Sequence, residues 1–118
     1  MKVLDLNAYS QQIFQIHSNE EFEKLALDLF SHQAEHLLIY NRYLQLLDVP
    51  YQEVRSLDEI PCLPIELFKS SEVILEGLSA KLIFRSSGTS GDLKSEHLVH
   101  DPLLYERAFM EGFKHFYG

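Results

Sequence analysis

The most informative segment of this chain is Arg85-Ser86-Ser87-Gly88-Thr89-Ser90-Gly91-Asp92-Leu93-Lys94. It combines two glycines, four hydroxyl side chains and a lysine. The apolar run before it, residues 81–84, predicts a short buried strand, and the run after it, residues 96–100, predicts a second strand. We therefore expect two antiparallel strands joined by this segment.

The composition of the segment is typical of a loop that binds phosphate. Glycines let backbone N–H groups turn toward an anion, hydroxyl groups add further donors, and a lysine adds positive charge. The predicted phosphate-binding residues are Ser86, Ser87, Gly88, Thr89, Ser90, Gly91 and Lys94. A plain hairpin loop is the alternative, because glycine and serine are also common turn residues.

The segment does not fit the P-loop of nucleoside triphosphatases, which reads G-x-x-x-x-G-K-S/T at a strand-to-helix turn. Leu93 stands where that motif needs its second glycine. The residues that follow predict a strand, so no helix N-terminus would face the phosphate.

Three stretches in order carry a resemblance to a known family. Residues 86–91, with Lys94 following, resemble the phosphate loop of adenylate-forming enzymes (the acyl-CoA synthetase superfamily), whose pattern is S/T-S-G-S/T-S/T-G-x-P-K. The chain departs from it at Leu93, where proline is usual. Residues 60–70, IPCLPIELFKS, are similar to a stretch upstream of the loop in bacterial acyl-protein synthetases, and residues 101–118 resemble the segment after their loop.

This resemblance implies an ATP-dependent acyl-activating ligase in the cytoplasm. A small-molecule carboxylic acid would react with ATP to give an acyl-adenylate and pyrophosphate, and a thiol or carrier protein would then take the acyl group. ATP and Mg²⁺ are the implied cofactors. The loop residues named above, Ser86 to Gly91 and Lys94, would hold the phosphates, whereas no catalytic residue is assigned.

The family's enzymes are several times longer than these 118 residues. We therefore expect residues 1–118 to be an N-terminal fragment of the large adenylate-forming domain, inactive alone and able to self-associate through exposed apolar surface. The alternative is a non-catalytic or split-ligase partner that docks on another chain through its helices.

The expected fold class is α+β, with N-terminal helices, a short antiparallel hairpin around the phosphate loop and a C-terminal helix, as part of a larger α/β domain. The predicted regions are a helical region (6–47), a proline-containing connector (48–71), strands (72–100) with the phosphate loop (86–94), and a helix (101–117). Within the first region we expect one helix over 6–16 and, after a capping box at Ser18, a long helix over 20–47 that can break near Ser31. A further strand is expected over 71–75.

Composition limits the function. A net charge of −8 argues against nucleic-acid binding, and no apolar run approaches the roughly 20 residues of a membrane helix. The single cysteine, Cys62, excludes an internal disulfide and fits a reducing compartment. Between apolar neighbours and prolines, its thiol is expected to be packed and inert.

One metal-binding pattern also needs weighing. His32-Gln33-Ala34-Glu35-His36 matches the H-x-x-E-H pattern of a class of zinc proteases, and two histidines four residues apart can share a metal. Helical spacing places His36 in the apolar stripe and directs Glu35 away from it. We therefore expect a partly buried histidine beside an exposed one, with a zinc hydrolase as a third alternative.

Overall fold

The computed structural model of the protein describes residues 4–86 and 94–118. These residues form α-helices and one antiparallel pair of strands, which confirms the α+β class. The elements in chain order are α1 (Leu6–Gln12), α2 (Asn19–His36), α3 (Leu38–Leu46), α4 (Leu67–Ser70), β1 (Leu82–Arg85), β2 (Glu96–Val99) and α5 (Pro102–Tyr117).

The first helix lies where the apolar spacing predicts it, with a 3₁₀ turn over Ile13–Gln15 completing it. The Asp5 carboxylate accepts hydrogen bonds from the free N–H groups of the first turn, as an N-cap does. The Tyr9 hydroxyl donates to the carbonyl of Leu25 at 2.8 Å, which ties α1 to α2.

The capping box at the start of α2 is present. The Ser18 hydroxyl accepts from the N–H of Glu21 at 3.1 Å, and the Glu21 carboxylate accepts from the N–H of His17 at 3.4 Å. The first bond satisfies an N–H group that the first turn of a helix leaves without a partner, and the second holds the residue that precedes the N-cap.

The long helical region breaks at Leu37, later than the expected position near Ser31, because two carbonyls there find partners elsewhere. Leu37 has an extended backbone. The Asn41 side chain donates to the carbonyl of Ala34 at 2.8 Å, and the N–H of Glu76 donates to that of His36 at 2.9 Å. These partners offset the helical bonds lost at the break, and one of them lies far along the chain.

The core lies between α2, α3 and the connector. Its buried residues are Phe30, Ala34, Leu37, Tyr40 and Leu44. The rings of Phe30 and Tyr40 meet edge to face with centroids 6.0 Å apart, a favourable geometry for aromatic pairs. The Tyr40 hydroxyl donates to the carbonyl of Pro61 and so fixes the connector on the core.

The connector is mostly irregular, and the strand expected over 71–75 is wrong. Its alternating apolar residues, Val73 and Leu75, pack on the helical core and have no strand partner. Helix α4 begins at Leu67, three residues after Pro64. A prediction from alternation fails here because the buried side chains face helices.

The antiparallel hairpin is confirmed, with Leu82 opposite Val99 and Arg85 opposite Glu96. The expectation that β1 is buried is wrong, since all four of its residues are exposed. Among the described residues the sheet has only two strands, and no described element covers β1 enough to bury its side chains.

Helix α5 starts as predicted, with Asp101 as N-cap and Pro102 in the first position. Its contacts with the rest of the chain include the Tyr105 ring, 5.1 Å from that of Phe84, and the Arg107 guanidinium, 4.2 Å over the ring of Phe14. No residue of α5 is buried. None of the helices within 4–86 and 94–118 is long and apolar enough to cross a membrane.

The molecule is consequently more open than a compact domain of its size. Its radius of gyration is 15.8 Å, whereas about 13.5 Å is expected for this length. Its accessible surface is 8894 Å², against roughly 6,600 Å² for a compact monomer of the same mass. The excess agrees with the unburied β1 and α5.

Candidate functional site

The candidate site is the end of the hairpin, where β1 and β2 lead into the predicted phosphate loop. Two hydrogen bonds close its base: the N–H of Ser86 donates to the carbonyl of Ser95, and the N–H of Ser95 donates to the Ser86 hydroxyl oxygen, both at 3.0 Å. Ser95 is buried. The two ends of the loop are therefore held at a fixed separation.

Of the predicted phosphate-binding residues, the structure describes two, Ser86 and Lys94. The others, Ser87, Gly88, Thr89, Ser90 and Gly91, lie outside the described residues, and their role stays a prediction. The Ser86 hydroxyl oxygen already accepts the hydrogen bond from Ser95. The hydroxyl can still donate its proton to an anion. Ser86 thus has a part in closing the loop base that its sequence motif did not indicate.

The charges at the loop base are mixed. The Arg85 guanidinium lies 3.5 Å from the Glu96 carboxylate, and both side chains are about half exposed. Such an exposed pair contributes little to stability, roughly 0–1 kcal/mol, yet it partly neutralises Arg85. Lys94 is exposed beside the buried Ser95, at the point where the loop joins the stem.

The stem is anchored through β2 and the residue that follows it. On β2, the His97 ring stacks on that of Phe68 from α4, with centroids 4.7 Å apart. At the other end of the hairpin, Nδ1 of His100 lies 2.8 Å from the carbonyl oxygen of Ser79. The hairpin is therefore fixed to the connector, although the two histidines had no assigned role in the sequence.

Contacts around the hairpin bring the other two stretches that carry the family resemblance, 60–70 and 101–118, to its stem. Phe68 belongs to the stretch over 60–70 and stacks on β2. Tyr105 belongs to the stretch over 101–118 and contacts Phe84 of β1. Segments separated in sequence thus meet at the stem of the predicted phosphate loop.

An open apolar cavity of about 450 Å³ lies between α2 and the connector. Its lining includes Leu29, Phe30, Leu63 and Phe68, so Phe68 contacts both the cavity and the hairpin. Cys62 also lines it and is exposed, which makes the expectation of a packed thiol wrong. Its sequence neighbours Pro61 and Leu63 line the cavity as well, whereas Cys62 is exposed to solvent.

The H-x-x-E-H pattern forms a histidine pair with a structural contact. The His32 and His36 rings lie 4.6 Å apart, and Nδ1 of His36 lies 2.8 Å from the Glu76 carboxylate. Burial lowers the pKa of His32, the neighbouring His36 lowers it further, and Glu35 opposes the shift. Within 4–86 and 94–118, no group of three histidine, cysteine or acidic side chains is arranged to hold a metal ion.

Comparison with known proteins gives no relative from which a function could be transferred. No family model, no curated protein and no solved structure matches the chain. The argument for function therefore rests on the motif residues and on the contacts around the hairpin.

Proposed function

We propose that this chain is the N-terminal portion of an ATP-dependent acyl-activating ligase, whose hairpin loop binds the phosphates of ATP. The principal support is that the stretches over 60–70 and 101–118, which resemble the family on either side of the loop, contact its stem through Phe68 and Tyr105. A loop motif that occurred by chance would have no reason to lie between these two stretches.

The closed base of the loop suits this chemistry. Formation of an acyl-adenylate spreads negative charge over the phosphates, and donors placed in advance stabilise that charge without reorganising. The Ser86–Ser95 hydrogen bonds fix where the loop begins and ends. Lys94, next to that base, would supply positive charge to the β- and γ-phosphates.

The described residues at this site are suited to an anion. A hydroxyl at Ser86 and an ammonium group at Lys94 are donors to phosphate, and the nearby carboxylate of Glu96 pairs with Arg85. Mg²⁺ would enter with ATP, held mainly by phosphate oxygens and water. A small-molecule carboxylic acid and an acceptor thiol or carrier protein complete the proposed reaction, for which these 118 residues alone would be inactive.

The alternative function is a non-catalytic or split-ligase partner that docks on another chain. The exposed face of α5 favours it, since an amphipathic helix without buried residues is suited to a partner surface. Loop substitutions would leave such a role intact.

Titration of the chain with Mg-ATP and with pyrophosphate, followed by calorimetry, tests the phosphate site. The Lys94→Ala variant should weaken binding about tenfold or more, since a hydrogen bond to a charged group contributes roughly 1.5–3 kcal/mol. Thr89→Ala should weaken it less. Lys24→Ala is the matched control, because Lys24 is exposed on α2 and pairs with Asp28.

Two results would contradict the proposal. One is an unaltered chain that binds neither ligand at millimolar concentration. The other is an equal loss of affinity in Lys94→Ala and Lys24→Ala, which would indicate attraction by any surface lysine.

A further inference from the structure

Helix α5 has an apolar face that the described part of the chain leaves mostly exposed. Tyr105, Phe109, Gly112 and Phe116 follow one another at helical spacing, so they lie along one side of the helix. Phe113 lies at the edge of this face, and all of its aromatic residues are exposed. Below, this surface is called the α5 face.

Three of the charged residues of α5 lie away from this face. At about 100° per residue, Arg107, Glu111 and Lys114 fall on the opposite side of the helix. The chain has a net charge of −8, which opposes association of identical copies. Glu106 falls beside Phe113, so the centre of the α5 face is uncharged and one acidic group lies at its edge.

The size of the α5 face agrees with an interface between two copies. Its aromatic residues expose between 52 and 77% of their surface, which amounts to about 500 Å² at roughly 150–250 Å² per side chain. Leu82 and Phe84 of β1, on one side of the strand, extend it, since Phe84 contacts Tyr105. With these two residues the face reaches roughly 600 Å², which on two copies gives the lower end of the range of about 1,200–2,000 Å² that stable interfaces bury in total.

The middle of the face allows a second helix to come close. A Cβ atom added at Gly112 would meet nothing within 4 Å. Ala108 lies one turn earlier, so two small residues occur together between larger aromatic ones. Small residues at this spacing permit close approach of backbones, and the flanking rings can pack on either side.

We infer that a second copy of this chain covers the α5 face, with the two α5 helices antiparallel about a two-fold axis near Gly112. A two-fold interface uses the same patch on both partners, and an uncharged face bordered by aromatic rings is complementary to itself. This inference concerns assembly of the 118-residue chain and does not rest on the proposed function.

Sedimentation velocity over a range from about 1 to 200 μM measures the association, the range in which a moderate interface of this size is expected to dissociate. The unaltered chain should form a dimer, and Phe113→Glu should raise the dissociation constant at least tenfold. Glu111→Gln, on the opposite side of the same helix, should leave the dissociation constant unchanged. Phe113 has no role in the core, so circular dichroism should show both variants folded.

Cross-linking tests the geometry. In a Cys62→Ser background, Gly112→Cys should give an intermolecular disulfide, because the two Cα atoms would lie within the roughly 4.4–6.8 Å that a disulfide needs. Glu111→Cys, facing away, should not. A chain that stays monomeric at every concentration, or binds only a different protein, overturns the inference. So does a dimer that Phe113→Glu does not weaken, or equal cross-linking of the two cysteine variants.

Discussion

The α2–α3 region and the α5 helix are both amphipathic, but only the first has its apolar face covered. Leu44 of α3 is 1% exposed, whereas Phe113 of α5 is 55% exposed. The difference comes from the connector, whose Ile60, Leu63 and Val73 pack on α2 and α3, whereas the contacts of α5 with the described chain bury none of its residues. An apolar face thus predicts that a helix forms a contact, and does not reveal which surface supplies it.

The strongest test of this contrast is a pair of equal truncations. Leu44→Ala should lower the free energy of unfolding by about 2–5 kcal/mol, because it removes a fully buried side chain and leaves a cavity. Leu103→Ala, on α5, should change it by no more than about 0.5 kcal/mol, as expected at an exposed position. Urea denaturation followed by circular dichroism measures both.

Leu103 is 73% exposed and lies on the side of α5 away from the α5 face, so its truncation does not affect the inferred dimer. If the two leucine variants lose similar stability, the division into a covered and an uncovered region is wrong.

A smaller effect is expected where the connector is fixed to the core. Tyr40→Phe leaves the Pro61 carbonyl without the hydroxyl donor, which should cost about 1–3 kcal/mol. Burial, with smaller contributions from Cys62 and Tyr43, raises the pKa of Tyr40 from 10.0 to about 12. The folded state therefore favours the neutral phenol, and this contribution is complete below pH 10 and lost as the pH rises through about 12.

Urea midpoints at several pH values between neutral and strongly alkaline follow this linkage. The unaltered chain should lose more stability than Tyr40→Phe as the medium becomes alkaline. Parallel pH profiles for the two proteins would contradict the assigned burial of the phenol.

The smallest effects are expected from removing the N-caps of α2 and α5, and the two regions should differ in which measured quantity changes. Ser18→Ala and Asp101→Ala each remove an N-cap, a loss of about 1 kcal/mol of helix stability. The first should lower the urea midpoint, because α2 forms part of the core. The second should fray the first turn of α5 and so reduce the helical circular dichroism signal. It should change the urea midpoint little.

These two variants are each other's control, since they remove the same kind of hydrogen bond. An equal shift of the urea midpoint in both would show that α5 unfolds together with the core.

Local signals in the sequence predicted much of the fold. The caps at Ser18 and Asp101 and the antiparallel hairpin are present, because each depends on neighbouring residues. The break at Leu37 and the irregular segment over 71–75 were not predicted. At the break the N–H of Glu76 donates to the carbonyl of His36, and the segment packs Val73 and Leu75 on the helical core, long-range contacts that no local pattern encodes.

The candidate site was less accessible from the sequence. The motif indicated the loop, yet the part that Ser95 has at its base follows only from the strand register, which places Ser86 opposite it. The stacking of His97 on Phe68 likewise needs the folded connector. Side chains that hold the stem of a loop in place do not contact the ligand. No sequence motif therefore marks them.

The Ser86–Ser95 hydrogen bonds also have a consequence for engineering. Since the base of the loop closes by its own contacts, the chain between these residues can be lengthened without moving the strands. Doubling the length of a flexible loop costs only about 0.6 kcal/mol of closure entropy. The strands should therefore keep their register when residues are added between Ser86 and Ser95.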